Sequence, residues 1–94
     1  MKQSGIYKIN CSVNGKFYIG SAVDLRTRWS VHQHLLRRGK HNSLHLQRAW
    51  IKYGADAFRF EVIEYAEDRS TLIEREQYYF DLEAPFGTNG YNIA

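Results

Sequence analysis

The stretch from residue 4 to residue 21 constrains the fold most, because an Asn14-Gly15 pair separates two short segments rich in β-branched and aromatic residues. Asn-Gly between two such segments is the strongest short-range signal for a two-residue hairpin turn. We therefore predict a β-hairpin with strands at residues 5–12 and 16–21. Most of the remaining fold has to pack around this hairpin.

The register of this hairpin decides which side chains meet. If Asn14 and Gly15 form the turn, Cys11 pairs with Tyr18 on the opposite strand. Side chains two positions apart on a strand lie on the same face of the sheet. Tyr7, Cys11 and Tyr18 are therefore expected on one face, which would bring two phenol groups to the same side.

Two helices are predicted after the hairpin from their capping residues. Asp24 is suited to cap a first helix that runs to about Arg38, with Gly39 as its stop. Ser43 is suited to cap a second helix that ends at Gly54. Both helices start at a side chain that can accept a backbone hydrogen bond.

The last third of the chain predicts one more strand and one more helix. Residues 58–65 alternate partly between apolar and polar side chains, and Ser70 or Thr71 begins a third helix that runs to about Glu83. Glu74 is placed for a capping box with Thr71. The element order β-β-α-α-β-α predicts an α+β fold, a small three-stranded, mostly antiparallel sheet flanked by three or more helices.

The composition fits one intracellular domain. The 94 residues predict a single domain over 1–94. A formal net charge of +3 suits a polyanionic partner without proving one. Cys11 is the only cysteine, so a reducing, cytoplasmic setting is expected, and no apolar run is long enough for a membrane span.

One carboxylate on the predicted third helix falls among apolar residues. At about 100° per residue, Leu72, Ile73, Tyr79 and Phe80 form one stripe, and Glu76 lies in its middle. A buried carboxylate is costly unless a cation or a metal compensates it. A structural salt bridge and a metal ligand both remain open at this point.

The first helix places two basic side chains beside its apolar stripe. Leu25, Trp29 and Leu36 form the stripe, and Arg28 and His32, four residues apart, lie along one edge. Arg28 could equally pair with a surface acid or pack its stem beside Trp29. The histidines show no recognisable metal-binding spacing, and the chain has no nucleophile elbow or phosphate-binding glycine loop.

Five ordered elements resemble a known family. Gly5-Ile6-Tyr7 and Tyr18-Ile19-Gly20 are followed by "GSAVDLRTRW", "HLQRAW", "KYG", "IEREQYYF" and "NGYNIA". Over essentially its whole length, the sequence resembles the GIY-YIG nuclease superfamily. Within that superfamily it is most similar to the nuclease domains of intron-encoded (group I intron) homing endonucleases.

The resemblance implies a metal-dependent DNA endonuclease that cuts one strand per active site. It implies Glu76 as the ligand of a Mg²⁺ or Mn²⁺ ion, Tyr7 as the general base or water-orienting group, and Tyr18 as its neighbour in a hydrogen-bond network. His41 and Tyr18 remain alternatives for the base. The side chains that match the family's functional positions are Tyr7, Tyr18, Arg28, His41, Glu76 and Asn92.

The expected partner is DNA, with a separate DNA-binding domain outside this chain as a further expectation. Two alternatives remain, a nucleic-acid-binding module that keeps the fold without cleavage, and a repair or restriction nuclease. Oligomeric state stays open. Phosphate contacts, which position DNA without reading its sequence, are expected somewhere among a set of basic side chains. That set is Lys8, Lys16, Arg26, His32, Arg37, Arg38 and Lys40.

Overall fold

The computed structural model describes residues 2–93 and has the predicted order of elements. Its three strands form one antiparallel sheet in the order β2-β1-β3, and two 3₁₀ turns, at Ala55–Ala57 and Arg69–Thr71, were not predicted. The predicted α+β class is confirmed. The elements are β1 (Ser4–Cys11), β2 (Phe17–Ala22), α1 (Leu25–Arg37), α2 (Leu44–Tyr53), β3 (Phe58–Ala66) and α3 (Leu72–Glu83).

The hairpin register differs from the prediction by two residues. Tyr18 pairs with Ile9 rather than with Cys11, and the connection is a four-residue loop at positions 12–15. The reason is non-local, because the Asn14 side chain accepts from the Lys16 amide and also bonds the Tyr91 hydroxyl. A slip of two preserves the faces of the strands, so Tyr7 and Tyr18 still share one side.

The first glycine of the motif makes room for a bulge between β1 and β3. The pairing shifts between Ile6, which is opposite Glu64, and Tyr7, which is opposite Val62. A Cβ atom on Gly5 would lie 2.2 Å from the Glu64 carbonyl oxygen. Glycine is therefore required where the β3 backbone comes closest, and the bulge sets the direction of the Tyr7 side chain.

The caps of the first two helices are confirmed. The Asp24 carboxylate accepts from the Thr27 amide and hydroxyl, and Gly39 follows α1 with a φ of 70°. The Ser43 hydroxyl accepts from the amide of Leu46, and Gly54 ends α2. These two caps fix where α1 and α2 begin relative to the sheet.

The start of α3 departs from the prediction. The Thr71 hydroxyl donates to the Asp68 carbonyl instead of capping the helix, so the capping box is wrong. Ile73 is 81% exposed, whereas Leu72 is 7% exposed. The sheet covers only a narrow stripe that contains Leu72, Glu76 and Phe80, and Ile73 lies about 100° away from it.

The two faces of the sheet bury separate clusters. On one face, which we call the tyrosine face, Tyr7, Ile9 and Cys11 pack under α1 and α2. On the other, the α3 face, Ile6 and Ile19 pack against α3. Within residues 2–93, no helix is long and apolar enough to cross a membrane.

Candidate active site

The second glycine of the motif gives space to the hydroxyl of the first tyrosine. Tyr7 lies opposite Gly20 in the β1–β2 pairing and is 1% exposed. A Cβ atom on Gly20 would lie 2.3 Å from the Tyr7 hydroxyl oxygen. The two motif segments therefore fit together, because Gly20 on β2 has no side chain and leaves room for the Tyr7 phenol on β1.

The Tyr7 hydroxyl begins a buried hydrogen-bonded chain. Its oxygen is 2.6 Å from Nε2 of His32, and Nδ1 of His32 is 2.7 Å from Nε2 of His41. The chain ends at the backbone amide of Ser43, which donates to Nδ1 of His41 over 3.0 Å. Four groups from β1, α1 and the loop before α2 are thereby connected.

The amide of Ser43 fixes the direction of this chain. A backbone N–H can only donate, so Nδ1 of His41 is an acceptor and its Nε2 carries the proton. Nδ1 of His32 then accepts, and Nε2–H of His32 donates to the Tyr7 oxygen. The proton of the Tyr7 hydroxyl therefore points away from His32.

Burial keeps all three groups of the chain neutral. Burial, followed by the neighbouring His41 and Arg28, lowers the pKa of His32 to about 4. Burial also lowers the pKa of His41. Burial raises the pKa of Tyr7 well above its ordinary value, and the Arg28 guanidinium acts in the opposite direction.

His32 was expected among the phosphate-contacting cations, and this expectation is corrected. The side chain is 6% exposed, and both ring nitrogens have partners inside the protein. With its lowered pKa the imidazole carries no charge at neutral pH. Its position four residues after Arg28 was visible in the sequence, but its contacts with Tyr7 and His41 were not.

Tyr18 and Arg28 lie where the hydrogen-bonded chain of Tyr7, His32 and His41 borders a cleft. The Tyr18 ring packs edge-on against His32 and His41, with centroids 5.3 and 6.0 Å apart. Arg28 is exposed, and its guanidinium donates to the Ser21 carbonyl over 3.3 Å. A cleft of about 470 Å³, which we call the catalytic cleft, is lined by Tyr18, Arg28, His32 and His41.

Glu76 differs from the other half-buried carboxylates of the molecule. Glu64 is paired with Arg75 and Glu83 with Lys8, whereas Glu76 has no hydrogen bond or ion pair among residues 2–93. After burial, the charge of Glu76 is the main influence that raises the pKa of Tyr18, so the carboxylate lies within electrostatic reach of that phenol. The predicted inward position of Glu76 agrees with its half-buried state.

The residues around Glu76 fit a cation that keeps most of its water. No group of three or more His, Cys, Asp or Glu side chains is assembled in the described part of the chain. Residues 2–93 therefore offer no metal site built from several protein ligands, and near the candidate site they offer the single unpaired carboxylate of Glu76. Mg²⁺ suits this arrangement, because it commonly binds through one or two carboxylates plus water and substrate oxygens.

Asn92 holds the strand that carries Tyr18. It is 8% exposed, its Nδ2 donates to the Ile19 carbonyl over 2.8 Å, and its Oδ1 accepts from the Ile19 amide over 2.8 Å. Gly90, two residues earlier, forms a parallel bridge with Phe17. Asn92 therefore acts on the site through the backbone of β2.

The predicted phosphate contacts fall into three environments. The Lys8 ammonium is 2.5 Å from a Glu83 oxygen and lies over the Phe17 ring, so Lys8 is paired within the protein and its phosphate contact stays a prediction. Lys16 is half-buried in the hairpin loop. The remaining four are exposed on or just after α1, namely Arg26, Arg37, Arg38 and Lys40.

Comparison with known proteins defines the class of this domain. Residues 3–92 match the model of the GIY-YIG catalytic domain. The chain is 40% identical over 93 residues to intron-associated endonuclease 1 of Enterobacteria phage T4, and 37% identical over 91 residues to probable intron-encoded endonuclease 1 of Neurospora crassa. The two matches include 98% and 97% of this chain, but only 37% and 28% of the length of the two relatives.

Solved structures agree with these matches. The catalytic domain of the homing endonuclease I-TevI superposes with a TM-score of 0.86 at 39% identity, covering 97% of this chain and 98% of that domain. A mutant of the same catalytic domain gives a TM-score of 0.85 at 37% identity. The fold is thus that of an endonuclease catalytic domain. The chain belongs to the GIY-YIG family, as the motif residues predicted.

Proposed function

We propose that this domain is a divalent-metal-dependent DNA endonuclease that hydrolyses one phosphodiester bond per active site. The observation that carries the proposal is a cleft lined by Tyr18, Arg28, His32 and His41, in which the two histidines belong to the hydrogen-bonded chain that begins at the buried Tyr7 hydroxyl. The unpartnered carboxylate of Glu76 lies within electrostatic reach of both tyrosines. The endonuclease names of the relatives support the same chemistry.

Tyr7 is our candidate for the group that accepts the proton of the attacking water. His32 already donates to the Tyr7 oxygen and cannot take its proton, so the chain stabilises a phenolate instead. Burial raises the pKa of Tyr7, and the Arg28 guanidinium acts against that rise. His41 is a weaker candidate, because both of its nitrogens are engaged by His32 and Ser43.

The cations of the site would stabilise the charge of the reacting phosphate. Glu76 would hold Mg²⁺ or Mn²⁺, which supplies neutralisation of the phosphoryl oxygens and of the leaving 3′ oxygen. Arg28 would add a guanidinium fork that matches phosphate geometry. In the proposed step, Tyr7 would first release its hydroxyl proton to solvent. The resulting phenolate would take the proton of the water that bonds to phosphorus, and the 3′ oxygen would leave and take a proton from solvent.

Targeting is proposed to come from outside this domain. The chain spans about a third of the length of the curated relatives that it matches. The same domain would serve homing, repair or restriction, since these roles share one catalytic unit and differ in how DNA is selected. We propose the homing type, because both relatives are named as intron-associated or intron-encoded endonucleases.

The test is cleavage of supercoiled plasmid with Mg²⁺, Mn²⁺ or EDTA. Glu76→Gln keeps the shape and removes the charge, so we expect a loss of about a hundredfold or more in nicking rate. The matched control is Glu74→Gln, an exposed residue on the same helix, which should cut like the parent protein. Circular dichroism checks that both variants fold.

The other outcomes separate the alternatives. Nicked circles that accumulate before linear product indicate sequential single-strand cuts. Binding of DNA in a gel without any cleavage would favour the non-catalytic binding module. Full activity of Glu76→Gln would show that the Glu76 carboxylate does not hold the metal.

A further inference from the structure

A second cavity, of about 290 Å³, lies between the hairpin loop, α2 and the C-terminal tail. Lys16 contributes a cation from the hairpin loop, and Arg48 and Lys52 contribute two from α2. His45 and Tyr91 line it as well, and no Asp or Glu does. We call this cavity the basic groove.

The cations of the basic groove are available to an external partner. Within residues 2–93 the ion pairs are Lys8–Glu83 and Arg75–Glu64, so no groove cation is neutralised by a neighbouring carboxylate. The sequence of α2 contains no acidic residue. A cavity with several cations and no acid attracts an anion with more than one charge.

The spacing along α2 fits a linear polyanion. Arg48 and Lys52 are four residues apart and therefore lie on one side of the helix. His45, three residues before Arg48, extends the same row, and the row spans about 10 Å of helix. A single DNA strand carries one charge per about 3.4 Å of axis, so the row can reach two or three successive phosphates.

The basic groove is close to the catalytic cleft. Tyr18 and Asn42 line both the cleft and a smaller pocket of about 110 Å³, which Ser43 and Asn92 also line. The Ser43 hydroxyl donates to the Tyr91 carbonyl over 2.6 Å, and Tyr91 is part of the groove wall. The three depressions therefore follow one another along the start of α2 and the C-terminal tail.

We propose that the basic groove binds backbone phosphates of the DNA on one side of the scissile bond. This inference rests on the proposed DNA substrate and adds Arg48, Lys52 and His45 to the expected phosphate contacts. Lys16 joins them from the opposite wall of the groove. The groove holds the strand in register with Tyr7 but reads no base, because the contacts are to phosphates.

The test measures the salt dependence of DNA binding in EDTA, where cleavage does not interfere. A labelled short duplex is titrated by fluorescence anisotropy at several KCl concentrations. The double variant Arg48→Gln/Lys52→Gln should weaken binding and lower the slope of log affinity against log salt by about 1.8, from about 0.9 per lost phosphate contact. The matched control is Arg59→Gln/Arg69→Gln, which removes the same charge from exposed positions outside the groove.

The outcomes are distinct from those of the cleavage test. Equal slopes for the groove variant and the parent protein would overturn the proposal, as would an equal loss in the control variant. In single-turnover cleavage at subsaturating DNA, the groove variant should lose rate in step with its weaker binding, whereas Arg59→Gln/Arg69→Gln should keep the parent rate. If the groove variant shows the predicted drop in slope but the parent protein never cuts, the proposed catalysis is refuted and the groove proposal stands.

Discussion

The two faces of the sheet supply the candidate site with opposite kinds of group. The tyrosine face supplies neutral groups, since Tyr7, His32 and His41 are each less than 10% exposed and bonded to one another. The α3 face is mostly apolar, and its helix supplies Glu76, a charged group with no partner among residues 2–93. The polar groups on the tyrosine face are paired with one another, whereas the carboxylate from the α3 face is left without a partner among residues 2–93.

This difference shows how a small domain can hold a fixed, neutral hydrogen-bonded chain and also keep a carboxylate free to bind a cation. Neutral groups can be buried at little cost when every donor and acceptor is paired, and they then keep a fixed direction. A carboxylate that must bind a cation has to stay unpaired, and only partial burial makes that tolerable. Glu76 is accordingly half-buried on α3.

The largest expected effect comes from breaking the tyrosine face at its first member. Tyr7→Phe removes the proton acceptor, so we expect the cleavage rate at saturating DNA to fall by about 10²–10⁴-fold. It also leaves the buried Nε2–H of His32 without a partner, at a cost of about 1–3 kcal/mol in the free energy of unfolding. Single-turnover kinetics and urea denaturation measure the two effects.

The matched control for this change lies on the other face. Tyr79 is half-buried and donates its hydroxyl to Glu64. Tyr79→Phe should leave the cleavage rate unchanged, because that phenol does not face the catalytic cleft. Equal losses of activity from the two tyrosines would contradict the division of roles between the faces.

A smaller effect is expected from filling the space that receives the phenol. Gly20→Ala places a Cβ atom against the Tyr7 hydroxyl and ring, and the bond to His32 leaves the phenol little freedom to move. We expect about a tenfold loss of cleavage rate, together with about 1–3 kcal/mol of destabilisation from overpacking. Ser21→Ala on the same strand should change neither quantity, and a fully active Gly20→Ala variant would show that the phenol tolerates displacement.

A change in stability alone, with no effect on the cleavage rate at neutral pH, is expected in acid. The pKa of His32 is about 4 in the folded protein and about 6.5 in an unfolded chain, so between these values the unfolded chain binds more protons. The free energy of unfolding should therefore fall as the pH drops from about 6.5 to about 4, by at most about 3 kcal/mol for this residue. His32→Gln should flatten this dependence in urea titrations at pH 7 and pH 4.5, whereas His34→Gln, at an exposed position, should not.

Local signals predicted most of the fold. Asp24 and Ser43 cap α1 and α2 as expected, because a cap depends on residues only three positions away. The hairpin register was wrong because Asn14 bonds Tyr91, which is 77 residues distant in the chain. The two tyrosines stayed on one face because a shift of two residues preserves the period of a strand.

The candidate site could be predicted in part from periodicity and in part from the family motif. The helical period placed Glu76 inward, and the motif picked out Tyr7 and Tyr18. The role of His32 was not visible, because its partners come from β1 and from the loop before α2, and no sequence spacing joins the three. A glycine opposite a large aromatic residue, as Gly20 is to Tyr7, is the one signal that was present but not used.

Asn92 ties the site to the order in which the chain is synthesised. Its side chain completes the backbone hydrogen bonds of Ile19, a residue that leaves the ribosome 73 residues earlier. A nascent chain can form the hairpin early, yet β2 remains unclamped until almost the whole domain has emerged. The Tyr18 side of the candidate site is therefore completed late in synthesis, only once Asn92 can bond the backbone of Ile19.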